Sequence, residues 1–191
     1  MQKILGIDLD NVIVDFVPSF LKFFNNKYGR NIIPNHITTY NIWECGIGNT
    51  KEESNKYALE FCYSDRFYSI PLVKGAKEAV NQLARKYPVH IVTARSEELR
   101  KQTDEFLRRH FPDTPLNVRY SGDFFRVQNK TKAQICEELG INVMIEDNLQ
   151  FARECSQLGI TVYLLNKPWN QGDVDGNITR VDNWQDILRQ L

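Results

Sequence analysis

Asp8 and Asp10 stand one residue apart in Ile4-Leu5-Gly6-Ile7-Asp8-Leu9-Asp10-Asn11-Val12, an apolar run that ends in two carboxylates. Carboxylates this close repel unless they share a cation or one of them keeps a proton. A hard divalent ion with oxygen ligands, Mg²⁺ before others, relieves that repulsion. A second acidic pair, Glu146-Asp147, ends the run Val143-Met144-Ile145 in the same way. Side chains alternate along a strand, so the two acids of this pair face different partners, and one of them is expected at the ion. Thr93 closes a third run, Val89-His90-Ile91-Val92, with a hydroxyl able to donate to a phosphate oxygen, and the backbone amides after it form an anion-favouring helix start. Thr131-Lys132-Ala133-Gln134 has the form of a capping box. Lys132 then takes the first helical position, where a cation is disfavoured by about 0.3–1 kcal/mol against the helix dipole. An anion bound at that spot reverses the sign; Lys130 is its rival in sequence.

These groups need a scaffold that delivers strand ends to one place. Short runs rich in Ile, Val and Leu recur at Ile4 to Leu9, Val89 to Val92, Val143 to Ile145 and Ile160 to Leu165, with a weaker candidate at Asn117 to Tyr120. Runs of this kind are those of strands buried on both faces of a parallel sheet. Helical patterns lie between them, Ala76, Ala79, Val80 and Leu83 in one and Leu99, Thr103, Phe106, Leu107 and His110 in the next. The alternation predicts a doubly wound α/β fold with right-handed crossovers. Some eighty residues separate the first strand from the second, far more than a crossover of a dozen or so needs. The excess predicts a helical cap over residues 18–71, with helices at Ser19 to Tyr28 and Lys51 to Tyr63, inserted into a core of residues 1–17 and 72–191.

The whole chain narrows the function classes. Its 191 residues can bury a continuous core, and Lys plus Arg balance Asp plus Glu at 24 each, so no bulk positive field exists to hold duplex nucleic acid. No apolar run approaches membrane-spanning length, and the N-terminus enters its first strand without room for a signal peptide, so a cytoplasmic address is expected. Cys45, Cys62, Cys136 and Cys155 are widely spaced and predict buried or idle thiols, not a zinc knuckle or a disulfide framework. Nothing in the pattern indicates an oligomeric state.

In this order, Asp8-Leu9-Asp10, Thr93, Lys132 and Glu146-Asp147 resemble the four motifs of the haloacid dehalogenase superfamily of phosphatases. Within it the chain is similar to the 5'(3')-deoxyribonucleotidases and their bacterial relatives, on Asp10-Asn11-Val12-Ile13-Val14-Asp15-Phe16 and on Phe67-Tyr68-Ser69-Ile70-Pro71-Leu72-Val73-Lys74-Gly75-Ala76. Three residues depart from that pattern: Asn11 stands for the usual Gly, Arg95 follows Thr93 by two, and Glu146 replaces the first Asp of the acidic pair. The resemblance implies a Mg²⁺-dependent phosphomonoesterase. Asp8 would form an aspartyl phosphate and Asp10 would serve as acid and then base. Asp8, the Asp10 backbone carbonyl and Asp147 would hold Mg²⁺, while Thr93 and Lys132 bind the phosphate and Glu146 orients Lys132 or a water on the ion. Mg²⁺ and Lys132 would together cancel the three charges of Asp8, Glu146 and Asp147. The implied substrate is a small phosphorylated metabolite, a nucleoside monophosphate first, whose base could stack on Phe16, Tyr40, Trp43 or Phe67 in or beside the cap, with Arg95 and Arg126 available to a second anionic group. A sugar or amino-alcohol phosphate is the alternative substrate. A non-catalytic module that binds a phosphorylated ligand is the alternative class, and the intact Asp8 and Asp10 argue against it.

Overall fold

A computed structural model describes residues 2–114, 116–122 and 130–191. Within them lies a six-stranded, all-parallel sheet of β1 (Leu5–Ile7), β2 (Val89–Thr93), β3 (Asn117–Tyr120), β4 (Val143–Glu146), β5 (Thr161–Leu165) and β6 (Ile178–Val181). The strand order is β3-β2-β1-β4-β5-β6, with Leu5 opposite Val89 on one side and Val143 on the other. Helices cover both faces: α3 (Ala76–Lys86), α4 (Arg100–His110) and α7 (Trp184–Gln190) on one, α5 (Lys132–Glu138) and α6 (Leu149–Gln157) on the other. The doubly wound α/β class expected from the sequence is the fold observed.

Two-sided burial explains the apolar runs. Leu5 and Ile7 pack into the larger core with Ile91 and Ile145, while Val92, Met144 and Val162 face the α5–α6 layer. Gly6 also faces that second layer, where an added Cβ would lie 2.7 Å from the Met144 sulfur. α3 buries Ala76, Ala79, Val80 and Leu83, the spacing of one helical stripe. β6 and α7 escaped the sequence reading because Ile178-Thr179-Arg180-Val181 is a short edge strand with only its end residues buried. Asn183 caps α7, and Trp184 then donates its indole N–H to the Val12 carbonyl at 3.0 Å, tying the last helix to the turn after β1.

Between β1 and α3 the chain carries α1 (Phe16–Tyr28), α2 (Lys51–Cys62) and three short 3₁₀ turns, Pro34–His36, Ile42–Cys45 and Asp65–Ser69. Pro18, read from sequence as the boundary before this helix, instead lies in its first turn, where a missing N–H leaves no helical bond unmade. α1 ends at Gly29 with φ 62°, and α2 begins at Thr50, whose hydroxyl accepts from the Glu53 amide. Phe16, Phe20, Phe23 and Phe67 all contact Phe61, and Phe24 packs on Tyr28 and Tyr57. Each such pair adds about 0.5–1.5 kcal/mol beyond its burial, so most aromatics of this segment hold α1 against α2.

β1 is central and the strand order reverses beside it. The chain runs from β1 out to β3 and then crosses back to β4 on the other side. Open α/β sheets bind ligands outside the carboxyl ends of their strands at such a switch point. Asp8 follows β1, and Thr93 and Glu146 end β2 and β4.

Candidate active site

Asp8 extends β1 by one rung, its amide donating to the Ile145 carbonyl at 2.9 Å. Its carboxylate therefore emerges at the carboxyl end of β1 beside β4. The chain then turns sharply through Asn11, whose φ of 61° lies in the left-handed region. Gly tolerates that region best and Asn next, so Asn can hold the turn where the sequence resemblance expects Gly. Asn11 gains a second use, because its side-chain oxygen accepts from the Val17 amide at 2.8 Å and so satisfies a free donor at the start of α1.

Lys132 reaches Asp8 from the first turn of α5. The predicted capping box is present, with Thr131 and Gln134 exchanging hydrogen bonds. Lys132 Nζ donates to Asp8 Oδ1 at 2.6 Å and to Glu146 Oε2 at 2.9 Å, and it lies 4.8 Å from the centre of the Phe151 ring. The other Glu146 oxygen accepts from the amides of Asp147 and Asn148 at 3.2 and 3.1 Å. Asp147 Oδ2 accepts the indole N–H of Trp169 at 2.9 Å. Lys132 is 1% exposed, and Asp8, Glu146 and Asp147 are buried with it. Lys130 instead points outward and pairs with Glu138 on the surface. The geometry thus brings Lys132, and not its rival, to the cluster.

Three buried carboxylates share one ammonium, and the charge surplus appears in their acidities. Burial pushes Asp8 up to about 7 against the opposing pull of Lys132. Burial likewise raises Glu146 to about 7 despite Lys132, and Asp147 to about 7, with Asp8 adding to the effect. Burial works against the Lys132 charge, but Asp8 and Glu146 more than restore it, so its pKa stands well above the ordinary value. A divalent cation would supply the two positive charges that this arrangement lacks. Asp8, Glu146 and Asp147 each offer an oxygen within 4.8 Å of the others, a hard donor set suited to Mg²⁺. Glu146 has both oxygens engaged by Lys132 and backbone amides, whereas Asp147 gives only one to Trp169, so the residues present fit an ion held by Asp8 and Asp147.

Asp10 stands apart from that cluster. Arg95 Nε donates to Asp10 Oδ2 at 2.8 Å and Nη2 to Oδ1 at 2.6 Å, a two-pronged contact, while Nη1 donates to Thr103 Oγ1 at 3.1 Å. The guanidinium lies over the Phe67 ring, 4.7 Å from its centre. Burial opposes the Arg95 charge and the Asp10 carboxylate outweighs it, raising the Arg95 pKa. Both carboxylate oxygens of Asp10 thus accept from Arg95. Arg95 is spent on Asp10 and is not free for a second anionic group. Arg126 lies outside the described residues.

A cavity of about 80 Å³ joins these groups, lined by Asp8, Asp10, Arg95, Lys132, Glu146 and Asp147 below and by Phe16, Phe20, Ile37 and Tyr40 above. Phe16 and Tyr40 thus reach it. Trp43 is half-buried away from the lining, and Phe67 is buried beneath Arg95 as its platform, so the structure does not bring these two expected rings to the cavity wall. Thr93 also lies behind the wall: its hydroxyl accepts from the Arg95 amide at 3.2 Å, and Ala94 and Arg95 line the space instead. Tyr40 packs edge-on against Phe151 and is more than a third exposed, yet burial at its phenol and the nearby carboxylates raise its pKa well above the usual range, against Lys132. Sequence reasoning missed Trp169, Phe151 and Thr103. Trp169 was within reach of it, because Asn166-Lys167-Pro168-Trp169 follows the run Ile160 to Leu165 as a strand end, the same position that singled out Asp8 and Glu146.

The family model described as "5' nucleotidase, deoxy (Pyrimidine), cytosolic type C protein" matches residues 2–191. A nucleotidase of Clostridium acetobutylicum is 26% identical, with 97% of this chain and 92% of the relative covered. A 5'(3')-deoxyribonucleotidase of Bacillus subtilis is 26% identical, with 100% and 99% covered. Among solved structures, a haloacid dehalogenase-like hydrolase of Streptococcus pneumoniae superposes with a TM-score of 0.71 at 14% identity, over 99% of this chain and 98% of that one. A haloacid dehalogenase superfamily hydrolase of Geobacter sulfurreducens gives 0.62 at 17% identity over the full length of both. At these identities the two structures speak to the fold alone.

Proposed function

Because the chain belongs to the family of cytosolic type C deoxy 5'-nucleotidases, which hydrolyse phosphomonoesters, we propose that it releases phosphate from nucleoside monophosphates through an ester formed on Asp8. The observation that carries this reading is the buried Lys132 bridge, which fixes Asp8 Oδ1 and leaves its second oxygen to attack.

That oxygen forms a bond to phosphorus as the bond from phosphorus to the ester oxygen breaks, and Asp10 gives its proton to the departing alkoxide. Water then attacks phosphorus, Asp10 takes a proton from it, and the bond from phosphorus to Asp8 breaks to release inorganic phosphate. Lys132 and the Ala94 amide would receive the phosphate oxygens, with the Arg95 amide held by the Thr93 hydroxyl behind them. Asp8, Asp147 and the Asp10 carbonyl would hold Mg²⁺, which when bound offsets the charge of the carboxylates and the phosphate. Arg95 would keep one Asp10 oxygen oriented while the other leaves the two-pronged contact to carry the proton.

Residues 18–71 would act as the cap. The cavity measures about 80 Å³, whereas sites for whole small molecules are usually about 300–1,000 Å³. A nucleoside therefore enters by displacing the lining contributed by α1 and the segment around Tyr40. Of the expected rings, Phe16 and Tyr40 reach the cavity, where stacking on a base would contribute about 1–3 kcal/mol.

The test is phosphate release from ribo- and deoxynucleoside monophosphates and from sugar phosphates, with Mg²⁺ and with chelator, for the wild type and Asp8→Asn. Turnover that prefers nucleotides and is lost with chelator or with Asp8→Asn supports the proposal. Turnover confined to sugar phosphates would move the substrate class, and none on any ester would overturn the assignment.

A further inference from the structure

Trp169 sits where three parts of the molecule meet. Pro168 opens the 3₁₀ turn Pro168–Asn170 that follows β5, and the turn Pro34–His36 of the inserted segment lies against it. Asn170, 1% exposed, donates its amide to the carbonyls of Asp147 and Leu165, both at 2.7 Å, and its side-chain oxygen accepts from Arg180 at 2.6 Å. The turn is therefore anchored to the backbone of Asp147 on one side and to β6 on the other. Trp169, so fixed, lines the cavity and aims its indole N–H at Asp147 Oδ2.

An indole N–H is a donor only, so it competes with a cation for that oxygen. With Oδ2 taken by the indole, Asp147 would meet an ion through Oδ1 alone. Mg²⁺ takes a strict octahedron of single oxygens, whereas Ca²⁺ takes six to eight ligands and readily accepts both oxygens of one carboxylate. We propose that Trp169 is a positioning residue that restricts Asp147 to single-oxygen coordination and thereby favours a small octahedral cation over Ca²⁺. This rests on the assignment of a Mg²⁺ site to Asp8 and Asp147. Outer groups that hold a ligand in this way commonly change metal affinity by about 10–100-fold.

The test uses the full chain without substrate. Mn²⁺ binding is followed by the electron paramagnetic resonance of the free ion, and Mg²⁺ and Ca²⁺ are titrated as competitors into the wild type, Trp169→Phe and Asp147→Asn. Phe keeps a ring in the wall and removes the donor. Trp169→Phe is expected to weaken Mg²⁺ by about tenfold and to leave Ca²⁺ unchanged or tighter, narrowing the preference by about tenfold. An unchanged ratio of the two affinities, whether both fall together or neither moves, would overturn the proposal. Should Trp169→Phe fail to fold, Asn170→Ala, which loosens the turn and keeps the indole, must narrow the same ratio or the proposal falls. A wild type that binds Mn²⁺ no better than Asp147→Asn would remove the cation site itself, an outcome distinct from an unchanged ratio.

Discussion

Replacing Arg95 by Met removes the group that holds Asp10 and leaves an apolar chain over the Phe67 ring. Two charge-assisted bonds are lost, at 2.6 and 2.8 Å, from a guanidinium that is 5% exposed to a carboxylate that is 25% exposed. Breaking a fully buried pair costs about 3–5 kcal/mol, and with Asp10 a quarter exposed to solvent we take about 2 kcal/mol for the stability loss. The effect on catalysis depends on the leaving group. General acid catalysis contributes about 10²–10⁴-fold, and a misplacement of about 1 Å costs about 10²-fold. An alkoxide leaving a nucleoside monophosphate needs the proton from Asp10, so kcat/KM on that ester is expected to fall about 10²-fold, or about 2.7 kcal/mol of transition-state stabilisation. p-Nitrophenolate leaves without a proton, so p-nitrophenyl phosphate should lose less than about threefold in the phosphorylation step. Arg95→Lys keeps the charge without the two-pronged fork and should fall between. The assay is single-turnover release of nucleoside and of p-nitrophenol by the wild type and both variants. Equal losses on the two esters would refute the reasoning, because Arg95 would then act through stability alone.

Lys132→Met should lower stability by about 3 kcal/mol in urea unfolding and abolish measurable phosphate release, whereas Lys130→Ala, which loses only a surface pair, should stay within about 0.5 kcal/mol. Asn11→Ala should cost about 2 kcal/mol, combining left-handed strain with loss of the acceptor for Val17 N–H; Asn11→Gly, which loses only the acceptor, should cost about half as much in the same unfolding assay. Asp8, Glu146 and Asp147 have native values of about 7 against ordinary values of 3.8 and 4.5. In chelator the native state therefore holds more protons than the unfolded state across that window, so stability should decline as pH rises from about 4 to about 7 and level off above. Mg²⁺ takes the ionised form, so its calorimetric stabilisation should be greater at pH 8 than at pH 5, and equal shifts would contradict the charge argument.

The candidate catalytic groups were legible because three of the four motifs are strand ends, and strands buried on both faces announce themselves as apolar runs. Asp8 and Glu146 could be placed from Ile4 to Ile7 and Val143 to Ile145 before any geometry was known. Lys132 was legible through a different signal, the Thr131 and Gln134 capping box, which fixes where α5 begins. Partners set by tertiary approach were not. Arg95 engages Asp10 across 85 residues, and nothing in its neighbourhood distinguishes that use from contact with substrate. Phe67 and Trp43 have the composition of a binding wall, but ring type alone does not say which side of α1 and α2 a ring will face. β6 carried too few apolar residues to register, and with it went Arg180 and the anchoring of Trp169.

The central claim is that Asp8 carries the phosphoryl group. Asp10→Asn removes the group proposed to activate water, and p-nitrophenyl phosphate allows the first step without a proton donor. Quenching that variant with Mg²⁺ and this ester in acid, followed by mass spectrometry of peptides, should find one added phosphoryl group on the peptide containing Asp8 and none after Asp8→Asn is introduced. Release of p-nitrophenol with no phosphoryl group on that peptide, or with the group on another residue, would contradict the account.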